Sequence, residues 1–145
     1  MNKGFTLVET LVVVAIGAII ASVVLAGLYV YQPYARLASV CRDLLSDIRY
    51  AQQLSVAGQG VFGVKFFVVE NKYQLLKFTA TSTSQIVEKN LPQGVSFQNI
   101  TGFLDNEVRF NSYGAVSYGG VVSLVNANGD IRGIDVGPSG FSKTF

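Results

Sequence analysis

The chain has 145 residues, half of them hydrophobic and only 14% charged, with 11 basic against 9 acidic side chains and a formal net charge of +2. That length suits one domain with an appendage, and the near-neutral balance gives no strong overall pull toward nucleic acid or anionic lipid. There is no histidine, no tryptophan and one cysteine, Cys41, which excludes a Ser-His-Asp triad, histidine metal sites and any intrachain disulfide. Such a chain fits a reducing compartment, or an exported domain stabilised without a disulfide.

The first element is the most apolar. After Met-Asn-Lys-Gly-Phe-Thr-Leu-Val-Glu-Thr the sequence carries no charge from Leu11 to Tyr31, a run of about 21 residues that spans roughly 31 Å as a helix, one hydrocarbon core. It is too long for an ordinary secretory signal and flows into Tyr29, Tyr31 and Tyr34, which read as an interfacial aromatic belt. Lys3 and the terminal amine precede it, so the positive-inside tendency places the N-terminus in the cytoplasm and the remainder outside. A plain anchor does not explain Glu9. A carboxylate in the membrane costs about 2.5 to 3.5 kcal/mol at mid-depth and less near the edge, and such residues usually face a protein partner.

Lys3-Gly4-Phe5-Thr6-Leu7-Val8-Glu9 followed by the apolar run resembles the leader and first residues of the type IV pilins and type II secretion pseudopilins. The resemblance implies a leader, residues 1–4, recognised partly through Lys3 and cut between Gly4 and Phe5 by a prepilin peptidase that also methylates the new amine of Phe5. It implies an assembly and transmembrane segment over residues 5–33, inserted in the bacterial inner membrane, and an exported pilin-like domain over residues 34–145. The implied partners are that peptidase/methyltransferase, other pilin or pseudopilin subunits and an inner-membrane assembly platform. Glu9 would meet the N-terminal amine of a neighbouring subunit, because a facing ammonium offsets much of the cost of a carboxylate in a low-dielectric bundle. The sequence departs from many members in having no proline midway along the apolar run; the first is Pro33.

Beyond Pro33 the period changes. Leu37, Cys41, Leu44, Leu45, Ile48, Ala51 and Leu54 recur at steps of three and four, with polar residues between them, which predicts an amphipathic helix over residues 34–58 with Gly58 as its cap. Cys41 falls on the apolar stripe and reads as a packed thiol.

From Val61 the residues turn β-branched and aromatic, giving a β region over residues 61–136. VFGVKFFVVE, YQLLKFT, QIVEKN, VSFQNI and EVRF read as strands, Glu70-Asn71-Lys72 and Leu91-Pro92-Gln93-Gly94 as turns, and VVSLVNANGDIRGIDV as a hairpin around Asn128-Gly129. The tail GPSGFSKTF shows no element. A helix followed by strands predicts an α+β fold: one long N-terminal helix packed on a mostly antiparallel sheet. That is the pilin-like architecture. The order of Leu-Pro-x-Gly-Val, Val-Arg-Phe, a glycine turn and a closing hairpin is most similar to the H-type minor pseudopilins and related minor pilins. The absence of a disulfide favours a minor subunit, or a major one lacking that bridge.

Other chemistry is weaker. Asp105 with Glu107, and Asp130 with Asp135, read as solvated acids, not acid/base pairs; Asn126, Asn128 and Asp130 share oxygen-ligand spacing with part of a calcium loop, but the bidentate Glu is missing. No nucleotide, metal or other cofactor is called for, and no residue reads as catalytic. Lys65, Lys72 and Lys77 interleave with Phe66, Phe67, Tyr73 and Phe78, a pattern that can track single-stranded nucleic acid. The simpler reading puts the aromatics in the core and the lysines along a sheet edge. The expected function is a structural subunit of a type IV pilus or secretion pseudopilus. The alternative is a membrane-anchored binding module that recognises DNA or a secreted substrate through its β domain.

Overall fold

The computed structural model describes Gly4 and residues 6–58 and 60–145, with the side chains of Ala26, Leu28 and Val30 left undescribed. One helix, α1 (Leu7–Ala57), takes up 51 residues, about 77 Å at 1.5 Å per residue. Thr6 caps its start: the backbone is extended there and Oγ1 accepts the Glu9 amide at 3.2 Å. At the far end the Gly58 amide donates to the Leu54 carbonyl at 2.8 Å. Gly58 has φ of −89°, so the left-handed cap expected of a glycine is not what selects it. A Cβ there would stand 2.9 Å from the Leu54 oxygen and 3.5 Å from the Phe62 ring, and space is the constraint.

Pro33 lies inside α1 without ending it. The change of period read from the sequence is therefore a change of environment along one rod. Large apolar residues from Leu7 to Leu25 are exposed, whereas Leu37, Leu44, Ile48 and Ala51 are fully buried.

Strand segregation goes beyond the single sheet expected. The first sheet contains β1 (Val61–Phe67), β2 (Lys72–Phe78), β3 (Thr83–Asn90) and β5 (Glu107–Phe110) in the order β3-β2-β1-β5. The second contains β4 (Val95–Thr101), β6 (Gly120–Asn126), β7 (Ile131–Val136) and β8 (Ser142–Thr144) in the order β4-β6-β7-β8. All named strand pairs are antiparallel. β8 falls in the tail where no element was expected; it pairs Ser142 with Val136 and Thr144 with Ile134. The β6–β7 loop is longer than a two-residue turn. The Asn126 carbonyl accepts the Gly129 amide at 3.1 Å, and Gly129 has φ of +86°, so a turn is followed by a left-handed glycine.

Both sheets press on the distal half of α1. Val64, Phe66, Tyr73, Leu75, Val108 and Phe110 from the first sheet, and Phe97, Val122, Leu124, Ile134 and Val136 from the second, join the helix stripe in one core. Cys41 is inside it, 1% exposed, and burial pushes its thiol upward.

Four polar residues stitch the layers. Ser55, fully buried, shares its one hydroxyl proton between the Ala51 and Phe110 carbonyls at 3.1 and 3.2 Å and accepts the Phe62 amide at 3.0 Å. Asn71, in the left-handed region at φ of 53°, joins the sheets: Nδ2 donates to the Val95 carbonyl at 2.8 Å and Oδ1 accepts the Phe97 amide at 3.2 Å. Arg49 donates to the Ser142 carbonyl at 2.7 Å, tying α1 to β8. The Tyr73 hydroxyl donates to Asp47 at 2.6 Å, and Lys89 meets the same carboxylate at 2.7 Å.

Two predictions follow from these stitches. Ser55→Ala strands the Phe62 amide and should cost about 1–3 kcal/mol, whereas Ser46→Ala on the exposed helix face should stay within about 0.5 kcal/mol. Denaturant unfolding of the full chain in detergent checks this, and equal costs would refute the role given to Ser55. The second concerns pH. Burial, then the hydrogen bond to Asp47, raises the Tyr73 phenol well above its ordinary value of 10. The folded chain thus holds that proton more tightly than the unfolded chain, and the resulting stability is complete below pH 10 and lost as pH rises above it. Tyr73→Phe should flatten this part of the stability–pH curve relative to the unmodified chain; parallel curves would contradict it.

Candidate functional site

The N-terminal segment holds the residues singled out in the sequence. Thr6 caps α1 and Glu9 stands at the third helical position, acidic in the first turn. Thr6-Leu7-Val8-Glu9 has the spacing of a capping box, a signal in the sequence for the helix start at Leu7. The Thr10 hydroxyl also turns back, donating to the Thr6 carbonyl at 3.3 Å. The start of the helix is thereby fixed by its own side chains. Among the described residues no side chain bonds to the Glu9 carboxylate, which is exposed in the isolated chain.

Gly4 is exposed, and among the described residues nothing lies within 4 Å of a Cβ built on it. The described residues place no packing demand for glycine at that position. Lys3 and Phe5, the other residues of the expected cleavage and methylation site, lie outside the described residues.

Leu7–Leu25 is long and apolar enough to cross a membrane, with a mean hydropathy of 2.6 and none of it buried. Its polar hydroxyl at Ser22 is spent on the Ile19 carbonyl at 2.7 Å. What this arrangement offers is a lipid-soluble helix face on every side, with one exposed carboxylate near its start that bonds to no side chain among the described residues. A partner that supplies an ammonium there would complete it.

At the far end of the apolar run the globular part is clamped to α1. Arg132 of β7 donates to the Tyr34 hydroxyl at 2.7 Å, its guanidinium 5.1 Å from the Tyr34 ring centre. Arg36 donates to the Gln93 carbonyl at 3.0 Å.

The remaining candidates turn out to be structural. Glu107 is not solvated as expected; its side chain is 6% exposed and ion-paired with Lys65 and Arg109. Asp105 instead sits exposed in a left-handed turn at φ of 54°. Asp135 is beside Lys143, and Asp130 accepts from Asn126 at 2.8 Å. Oδ1 of Asn126 accepts the amides of Asn128 and Asp130, so this oxygen is engaged in shaping the hairpin. Among the described residues no three His, Cys, Asp or Glu side chains are grouped to hold a metal ion.

The lysine–aromatic pattern resolves into core and ion pairs. Phe66 and Tyr73 are buried, Lys72 pairs with Glu70 and Glu88, and Lys77 lies over Phe62. The lysines do not line a sheet edge, because β1 and β2 are the interior strands of their sheet. They cover a face.

Residues 1–25 match the family model described as the prokaryotic N-terminal methylation motif. The fold is shared with two kinds of solved structure. One is the minor pseudopilin EpsH of the type 2 secretion system of Vibrio cholerae, at a TM-score of 0.66 and 12% identity, covering 76% of this chain and 96% of that one. The other is the type IV minor pilin FimU of Pseudomonas aeruginosa, at 0.65 and 10%, covering 79% of this chain and 92% of that one. No curated protein sequence gives a significant match. The expected pilin-like α+β architecture, and the likeness to an H-type minor pseudopilin, therefore hold at the level of fold.

Proposed function

We propose that this chain is a structural subunit, of the minor class, of a type IV pilus or a type II secretion pseudopilus. The observation that carries the reading is the joining of two halves in one helix. An N-terminal methylation motif heads an apolar segment that is exposed among the described residues, and the same helix continues into a stripe whose Leu37, Cys41, Leu44, Ile48 and Ala51 the β sheets bury, with Leu45 and Leu54 partly covered at its margins. A soluble protein would have no use for the first half; a filament subunit uses it twice, in the membrane and in the filament core.

In this reading residues 5–33 hold the subunit in the inner membrane with its N-terminus in the cytoplasm. The prepilin peptidase recognises Lys3, cuts between Gly4 and Phe5, and methylates Phe5. Glu9 then sets the vertical offset between neighbouring helices by facing the amine of another subunit, with the inner-membrane platform driving assembly. The exposed Gly4, which no described residue crowds, supports selection by an outside pocket. The subunit has no enzymatic role. The alternative, a module binding DNA or a secreted substrate, has less support because the basic side chains among the β1 and β2 aromatics are engaged with acids and rings.

Gly4→Leu should leave the leader attached, read as an unchanged N-terminal mass in the membrane fraction of cells with an active prepilin peptidase. Glu9→Val should be cut and inserted normally but enter filaments at least tenfold less efficiently; incorporation at the unmodified level would sink the pairing. Recovery of the unmodified chain with Met1 intact from such cells would remove it from this pathway altogether.

A further inference from the structure

The end of the globular domain nearest the apolar helix carries a basic collar that the assembly function leaves unused. We propose that this collar seats the domain on the phosphate groups of anionic lipids while the subunit waits in the membrane, an inference that rests on the membrane reading above.

The fold fixes which end faces the bilayer. β7 climbs alongside α1: Arg132 touches Tyr34, the Gly133 carbonyl lies 4.0 Å from the Cys41 sulfur, and Ser142, which pairs with Val136, is held by Arg49. Ascending β7 thus follows ascending helix number, so the β6–β7 loop before Arg132 projects back toward the apolar run. Arg36 follows Tyr31, the last residue of that run, by five positions, about 7.5 Å of helix, and a headgroup layer is roughly 5–8 Å deep. Arg36, Arg132 and the tip of the β6–β7 hairpin therefore fall at headgroup depth.

The chemistry at that depth is suited to phosphate. Each arginine spends donors on holding the domain, Arg132 on Tyr34 and Arg36 on Gln93, but a guanidinium has five N–H groups in a planar fork, which leaves others for an anion. Tyr31 and Tyr34 are 62% and 43% exposed, amphipathic rings of the kind that settle at a bilayer interface. Asp130, exposed on the tip, accepts from the neutral Asn126 amide and keeps its charge, so it offsets part of the charge of the two arginines. The tip itself offers polar Asn128 and Gly129 to water and headgroups. Because the Arg132–Tyr34 and Arg36–Gln93 contacts also pin the domain to the helix, docking would fix the angle at which it stands on the membrane.

The test uses the full chain in nanodiscs of phosphatidylcholine, with or without phosphatidylglycerol. A fluorophore is placed on Asn128→Cys; Cys41 is too deeply buried to compete for the label. Quenching by a headgroup-labelled lipid should rise with phosphatidylglycerol and fall with salt. Arg36→Gln with Arg132→Gln should lower the docked-to-free ratio roughly fivefold per arginine, while the double lysine variant, which keeps the charge, should stay near the unmodified chain. Melting curves confirm that each variant is folded. Quenching independent of lipid charge would overturn the proposal, as would lysine variants that lose docking as fully as the glutamine ones, which would make the arginines intradomain pins only. A chain that does not enter the discs at all would defeat the membrane reading instead.

Discussion

A helix that is apolar on all sides at one end and on one side at the other must satisfy two media at once, and the rest of this molecule is arranged around that demand. Between Leu7 and Leu25 every described side chain is exposed, so the segment is stable only where lipid or other helices replace water. From Leu37 to Ala51 the same rod offers one stripe, and two sheets close over it. The transition lies around Pro33, inside the helix. Proline has no N–H to give to the carbonyl four residues back, a loss that costs little where headgroups and water can supply the missing partner. Placed midway along the apolar run, the same proline would free a carbonyl at membrane depth, which neighbouring helices or side chains would have to satisfy.

The sheets are held to the rod at several heights, by the Arg36 and Tyr34 contacts near the apolar run, by Tyr73 and Arg49 in the middle, and by Ser55 near the end. Each bond joins the helix to a different part of the later chain. Sliding the helix by one turn would break all of them together, so the register between rod and sheets is set by polar chemistry, while the apolar stripe supplies most of the stabilisation. Asn71 does the equivalent work between the two sheets, reaching β4 from a turn of the first sheet.

The parts legible in the sequence are those that local periodicity encodes. The stripe at Leu37, Cys41, Leu44, Ile48 and Ala51 follows from helix geometry alone, and the strands that alternate or run apolar were found near their true bounds. β8 was not, because Ser142-Lys143-Thr144 has no alternation of its own. Its order comes from pairing with β7 and from Arg49, more than ninety positions earlier. Strand order was illegible for the same reason: which strands share a sheet depends on contacts between distant segments. Glu107 looked solvated because its burial depends on Lys65 from β1 and on Arg109 beside it. At the N-terminus the motif is plain in the sequence, and the same Thr6 and Glu9 carry a second, purely local signal, the spacing of a helix cap, that the structure realises through Thr6 Oγ1.

The closed core also bears on how such a subunit could change surroundings. Everything that buries the stripe lies within residues 34–145, and the described residues of the apolar half touch none of it. Moving that half from lipid to a bundle of other helices therefore exchanges one apolar environment for another without opening the β domain. The hydrophobic term nearly cancels, and what differs between the two states is polar: the Glu9 carboxylate, expensive in lipid and satisfied beside an ammonium. Under the proposed function, that one acid favours the bundle because its interaction does not balance between the two states.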